Sequence, residues 1–228
     1  LIGQTMQHRR VVVITLKNDF GKSLAAGFKA EAANFGIKIV NEYEYSIRDR
    51  QFGPIVAKVR ADKPDAIYAS GYFFTAGPLV SQLRSGGVNA PVIGQEGYDG
   101  EQFIKIAGAS AEGVIITTSL DRDSNSPEAR SFISEYEKFS GNKVDMVSAS
   151  THTAIKVVVA ALRKAGTNNP DAIRRAITQT QLTAATGQIS FNKLGEVRKS
   201  VEVQIVRDGD WHYHSTIRDQ TLLAPPEF

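Results

Sequence analysis

Val11-Val12-Val13-Ile14-Thr15-Leu16, running straight into Lys17-Asn18-Asp19-Phe20-Gly21, decides the fold of this chain. Five of its first six residues are β-branched, and the run is too short for an ordinary helix. Apolar residues that do not alternate with polar ones describe a strand covered on both faces, which belongs to a parallel sheet. Downstream, Gly21 to Phe35 sets Leu24, Phe28, Ala32 and Phe35 on one helical stripe, and Gly36 ends it. Ile37 to Tyr45 is the next strand. Phe52, Ile55, Val56 and Val59 return to helical spacing, and Lys63-Pro64-Asp65 breaks them off. Ala66-Ile67-Tyr68-Ala69 is extended, Leu79, Val80 and Leu83 mark a helix stopped by Gly86-Gly87, and Pro91-Val92-Ile93-Gly94 is a fourth strand. A short helix from Phe103 to Ala107 leads to the strand Gly113 to Thr118. Five strands alternating with four helices predict an α/β fold, a doubly wound parallel sheet with helices on both faces.

The pattern changes after Thr118. Asp121-Arg122-Asp123-Ser124-Asn125-Ser126-Pro127 is polar and turn-rich, as a linker or hinge is. Three helices follow with little strand between them. Glu128 to Phe139 carries Phe132, Ile133, Tyr136 and Phe139; Ser150 to Lys164 carries Ile155, Val158, Val159 and Leu162; the third starts at Pro170 behind Asn169 as N-cap. Strands resume at Gly187-Gln188-Ile189-Ser190-Phe191. Val201, Val203 and Ile205 alternate with Glu202 and Gln204, which predicts one wet face. Asp208-Gly209 is a hairpin turn leading to Trp211 through His214, and the tail through Pro225-Pro226 has no period. The apolar faces of residues 119 to 190 need a sheet that this stretch does not supply.

Composition narrows the function. The chain has 228 residues, 42% hydrophobic and 22% charged, enough for a real core in one large domain or two modest ones. No apolar run approaches the roughly 18 to 20 residues of a membrane span. Leu1-Ile2-Gly3-Gln4 opens no signal-peptide pattern, and the absent initiator Met leads to the expectation of a mature or trimmed chain, with exported origin left open. The formal charge is +3, with basic residues scattered, which excludes the clustered face of a nucleic-acid binder. Without cysteine there is no disulfide framework and no thiol nucleophile. Serine-hydrolase, phosphate-loop and dinucleotide glycine motifs are absent, so neither an enzyme nor a cofactor is expected. His212 and His214 share a strand face without a third metal ligand, and a surface pair is the plainer account.

Ligands of open parallel sheets bind outside the carboxyl ends of the strands. Three loops fall there: Lys17 to Gly21, Ser70 to Thr75 and Gln95 to Tyr98. Phe20, Tyr72 and Tyr98 supply aromatic walls, and Glu96 a carboxylate suited to a ligand ammonium. Asp19 lies beside them. Loop aromatics also cover helix ends, and a loop glutamate is ordinarily solvated. Convergence of three loops on one edge weighs toward a pocket. His152, near a helix start, faces either a cleft or solvent.

Several motifs then occur in order. Lys17 to Leu24 resembles the strand-loop-helix segment of the branched-chain amino-acid (Leu/Ile/Val)-binding family of periplasmic solute-binding proteins. Pro64-Asp65-Ala66-Ile67-Tyr68-Ala69-Ser70-Gly71-Tyr72, Ile93 to Gly97, Ile106-Ala107-Gly108, Ala111 to Val114 and Thr186 to Asn192 follow at that family's spacing. The resemblance implies a type I periplasmic-binding-protein fold, two α/β lobes joined by a three-stranded hinge with the ligand held between them. It implies an extracytoplasmic component of an ABC importer, with a membrane permease as partner and a small amino acid, branched-chain or related, as ligand. A sensory domain, or a binder of an amide or an aromatic acid, uses the same fold.

Carried over by residue, Glu96 would hold the α-ammonium and Tyr72 contact the ligand. Phe20 stands where tyrosine is common, and Asp19 and Tyr98 sit beside these. Ser148 to His152 would face the ligand from the other lobe. By the same resemblance Leu1 begins inside the helix before Val11, and the N-terminal part of the family's chain is missing. Residues 1–118 and 191–214 would be the second lobe, 119–190 the hinge crossing and helical remainder of the first, and 215–228 a tail.

Overall fold

The computed structural model describes residues 1–219 and Leu223. The chain runs β1 (Arg10–Leu16), α1 (Asp19–Ala32), β2 (Lys38–Tyr45), α2 (Gly53–Asp62), β3 (Ala66–Ala69), α3 (Phe73–Ser85), β4 (Val92–Gly94), α4 (Glu101–Ala107) and β5 (Ile115–Thr118). Then come α5 (Pro127–Ser140), α6 (Met146–Ala165) and α7 (Pro170–Thr178). They are followed by β6 (Leu182–Ala184), β7 (Gly187–Phe191), β8 (Val197–Arg198), β9 (Val201–Arg207) and β10 (Asp210–Ile217). The expected βα alternation through Thr118 is present. The short strands β6 and β8 carry no apolar run, and the sequence reading missed them.

A seven-stranded sheet has the order β10-β9-β5-β4-β3-β1-β2, and the pairs of β1 with β2 and β3, β3 with β4, and β4 with β5 are parallel. Val12, Val13, Ile14 and Leu16 are fully buried, as a strand covered on both faces requires. Strand order reverses at β1, which lies between β2 and β3. In open α/β sheets such a reversal is where ligands bind, outside the carboxyl ends of the strands, here β1 and β3. Register sets the two ends level: Ile14 stands opposite Ala69, and Ser70 N–H donates to Ile14 O at 2.9 Å.

The chain divides into two compact units, Leu1–Ile116 with Ile205–Trp211, and Thr117–Gln204 with His212–Phe228. The second of these therefore includes 191–204, which the sequence reading had placed with the first. Within the first unit the large core joins Ile14, Leu16, Ile67, Leu79, Tyr98, Phe103 and Trp211. Within the second, Leu120, Phe132, Val144, Ala149 and Ala185 form a smaller one.

Four expectations are corrected. Residues 1–7 form turns rather than a helix, with Thr5 and Met6 N–H both bonded to Leu1 O. On α5, Phe132 is buried but Phe139, on the last turn, is 93% exposed. On α6 the stripe of Ile155, Val158, Val159 and Leu162 faces solvent, and Ala149, Thr153, Val157 and Ala161 turn inward. Gln204, expected on a wet face, is fully buried, because its side chain meets Arg122 at 3.1 Å and Asp121 at 3.4 Å. The hairpin turn is as read: Asp208 and Gly209 both have positive φ, at 51° and 76°. β10 extends it through Ile217, into the stretch read as tail, and Pro225-Pro226 lies outside the described residues.

Candidate functional site

The carboxyl edge of the first unit's sheet is built by helix starts packed tightly on strand ends. Asn18 caps α1, its Oδ1 accepting from Gly21 N–H at 2.8 Å. A Cβ on Gly21 would stand 2.2 Å from Leu16 O, so only glycine lets the helix begin so close to β1. This places Asp19 and Phe20 on the first turn; Asp19 is exposed and Phe20 half-buried. After β3, Ser70 Oγ accepts from Leu16 N–H at 3.2 Å and ties the two strand ends together. Tyr72 precedes α3, with its backbone held by Thr75 Oγ1, which donates to Tyr72 O at 3.0 Å.

Phe20 and Tyr72 stack with centroids 5.1 Å apart and planes 9° from parallel. Tyr72 stacks in turn on Phe74 at 5.7 Å, and the Arg50 guanidinium lies 5.8 Å from the Phe74 centroid. The result is an aromatic ladder at the carboxyl edge of the sheet, capped by a cation from the loop after β2.

Glu96 begins a single 3-10 turn after β4. It is exposed and makes no ion pair or side-chain hydrogen bond among the described residues. A free carboxylate there is available to a cation. Its loop is fastened to the Tyr72 loop by Gln95, whose amide nitrogen donates to Gly71 O at 2.8 Å.

Tyr98 departs from expectation. It is fully buried, stacked on Phe103 at 5.2 Å, and its hydroxyl has no hydrogen-bond partner among the described residues. Gly94 makes the room, since a Cβ there would meet the Tyr98 ring at 2.5 Å. Burial pushes its phenol well above the usual tyrosine value. Tyr98 therefore supports the loop from beneath and offers no face to a solute.

The second unit holds Ser148 and His152. Ser148 is committed to the start of α6: its Oγ donates to Asp145 O at 2.8 Å, and its N–H donates to Asp145 Oδ1 at 2.7 Å. One turn on, His152 stacks on Phe132 at 4.5 Å beside a cavity of about 320 Å³ lined by Glu128, Ser131, Glu135 and Lys156. Its Nδ1 is buried without a hydrogen-bond partner among the described residues. Burial, then the Lys156 charge, lowers its pKa.

A larger, polar cavity of about 790 Å³ in this unit is lined among others by Ser119, Asp121, Asp123, Thr186, Arg198 and Glu202. Burial, with Glu202 and Asp123 nearby, raises the Asp121 carboxyl above its ordinary value. Asp123 is held structurally, accepting from Tyr213 N–H at 2.7 Å and standing 3.6 Å from His212 Nδ1. His214 bonds Ser215 instead of pairing with His212 over a metal, and no group of three potential ligands occurs among the described residues. No described helix is long and apolar enough to cross a membrane.

The family profile described as "Periplasmic binding protein" matches residues 2–209. The chain belongs to that family. The chain is 28% identical over 196 residues to Leu/Ile/Val-binding protein homolog 3 of Brucella melitensis, covering 85% of this chain and 53% of the relative. It superposes on a leucine-binding protein of Thermotoga maritima with a TM-score of 0.87 at 25% identity, over 96% of this chain and 63% of the other. A benzoate-bound solute-binding protein of R. palustris shares the fold at a TM-score of 0.86 and 16% identity, over 94% and 60% of the two chains. The chain spans about half the length of the curated relatives it matches.

In this periplasmic binding protein the structure brings together Phe20, Tyr72 and the loop of Glu96, and turns Tyr98 away. The sequence reading missed Arg50, Phe74 and Gln95. For Arg50 a signal existed: the loop after the second strand ends at the same edge as the other three. Gln95 carries none, because a buried glutamine inside Ile93-Gly94-Gln95-Glu96-Gly97 looks like any loop residue.

Proposed function

We propose that this chain is the larger part of an extracytoplasmic solute-binding component of an ABC importer, working with a membrane permease and selecting a small amino acid, branched-chain or related. The observation that carries this is the Glu96 carboxylate, unpaired among the described residues, on a loop fastened beside the Phe20–Tyr72 stack, at the carboxyl edge of the sheet where the strand order reverses. A carboxylate there binds an α-ammonium through charge-assisted hydrogen bonds, and the aromatic ladder gives an apolar side chain a surface. The leucine and Leu/Ile/Val binding named for the relatives supports the same ligand class. Family membership supports transport over catalysis.

The exposed apolar stripe of α6 supports reading residues 119–190 as the helical part of a lobe whose sheet comes from another segment. Calorimetry with L-leucine tests the assignment. Glu96→Ala is expected to weaken binding at least about tenfold, the loss of one hydrogen bond to a charged group. Unchanged affinity would sink the role given to Glu96.

A second reading, an aromatic-acid binder, is favoured by the stacked ladder and by the fold shared with the benzoate-bound protein. It leaves the Glu96 charge facing a like-charged ligand, which is why the amino-acid reading comes first.

A further inference from the structure

One buried side chain joins the loops that carry Tyr72 and Glu96. Gln95 is 2% exposed, and its amide bridges them: the nitrogen donates to Gly71 O at 2.8 Å, and Oε1 accepts from Gly97 N–H at 2.6 Å. Only this orientation satisfies both partners, since the flipped amide would set donor against donor and oxygen against oxygen. The loops also touch more closely than side chains permit. A Cβ on Gly97 would stand 2.2 Å from Gly71 O, and one on Gly71 would stand 2.0 Å from Tyr45 Oη. Tyr45 Oη in turn donates to Ser70 O at 2.8 Å and lies 3.2 Å from Thr75 Oγ1, the group that holds the Tyr72 backbone. A satisfied, buried polar lattice thus joins the loops that carry half-buried Tyr72 and exposed Glu96, and such lattices rigidify what they support.

We propose that Gln95 is a positioning residue, holding the Glu96 carboxylate at one fixed place beside Tyr72 so that a ligand ammonium meets it preorganised. Gln95 is buried, its amide spent on the two loops. It acts through Glu96 by removing the ordering cost that a mobile loop would add to binding. The inference rests on the reading of Glu96 as the ammonium acceptor.

The test compares L-leucine with 4-methylpentanoate, the same carbon skeleton without the ammonium, by calorimetry on the full chain. Gln95→Met keeps length and burial but removes both hydrogen bonds. Gly97→Ala crowds Gly71 O and Gln95 Oε1, forces the loops apart and so breaks the same bridge from its other end. In each variant the preference for L-leucine is expected to fall about tenfold, with 4-methylpentanoate binding unchanged within about twofold. A preference that survives in both variants overturns the proposal, as does an equal loss for both ligands, the mark of general loosening. Should Gln95→Met lose its cooperative thermal transition, Gly97→Ala decides by the same ratio. A wild-type chain with no preference for L-leucine overturns the Glu96 reading and this inference with it, and so is distinguished from failure of the inference alone.

Discussion

The two units handle the same kind of apolar residue in opposite ways. In the first, Val12, Val13 and Ile14 vanish into the sheet, and Tyr98, Phe103 and Trp211 stack in series beneath it. In the second, α6 turns Ala149, Thr153, Val157 and Ala161 inward while Val147 is 63% and Ile155 59% exposed. A strand in mid-sheet is covered on both faces by its own neighbours and crossover helices. A helix buries only the face that something else covers, and the antiparallel strands β6 to β8 are too short to cover the wide side of α6. An apolar stripe in a sequence thus foretells an apolar face, and burial of that face depends on a partner element.

Core truncations should expose this contrast most strongly. Phe103→Ala, which empties a site between two rings, is expected to cost about 3–5 kcal/mol in denaturant unfolding. Ile155→Ala on the open face of α6 is expected to stay within about 0.5 kcal/mol. A cost above about 2 kcal/mol for Ile155→Ala, in the range of a buried aliphatic truncation, would show the face to be covered in solution. Next in size, Asp145→Ala removes the cap and one half of the capping box of α6, at about 1 kcal/mol.

The acid side of the stability curve separates the units by sign. Backbone N–H groups of Arg10 and Arg9 hold the Asp65 carboxyl below its usual value. Its contribution is therefore present above the unfolded value, about 3.9, and lost as pH falls through the folded one. Asp121 is raised, chiefly by burial, so its contribution is present below the unfolded value and lost as pH rises through the folded one. Asp65→Asn should lower the unfolding midpoint at pH 7 and converge on wild type in acid. Asp121→Asn should raise the midpoint at pH 7. Equal shifts of one sign in both variants would refute the assignment of causes. Smallest of all, Tyr98→Phe removes a buried hydroxyl that has no partner, and stability is expected to hold or rise slightly.

The first sheet was legible because Val11 to Leu16 and its successors at residues 66, 92 and 113 are apolar runs at strand length, with the more polar Ile37 to Tyr45 between them, punctuated by Gly36, Pro64, Gly86 and Pro91. Strand-edge geometry then put Phe20, Tyr72 and Glu96 on loops of one edge before any coordinate was known. Pairing across long separations was not legible. Nothing local in Gln204 announces Arg122, 82 residues away, and nothing in Gln95 announces Gly71. Tyr98 and Glu96 looked alike as loop residues, yet the space at Gly94 draws one ring inward and leaves the other group in water. The α6 stripe misled for the reason given above: its period was real and its cover lay elsewhere.

The central claim is that Glu96 makes this a receptor for an ammonium-bearing solute. Native mass spectrometry of the purified chain, incubated with equimolar L-leucine and benzoate, addresses it directly. An adduct of leucine's mass that is lost in Glu96→Ala is the expected result. Retention of benzoate, or a leucine adduct that persists in Glu96→Ala, would contradict it.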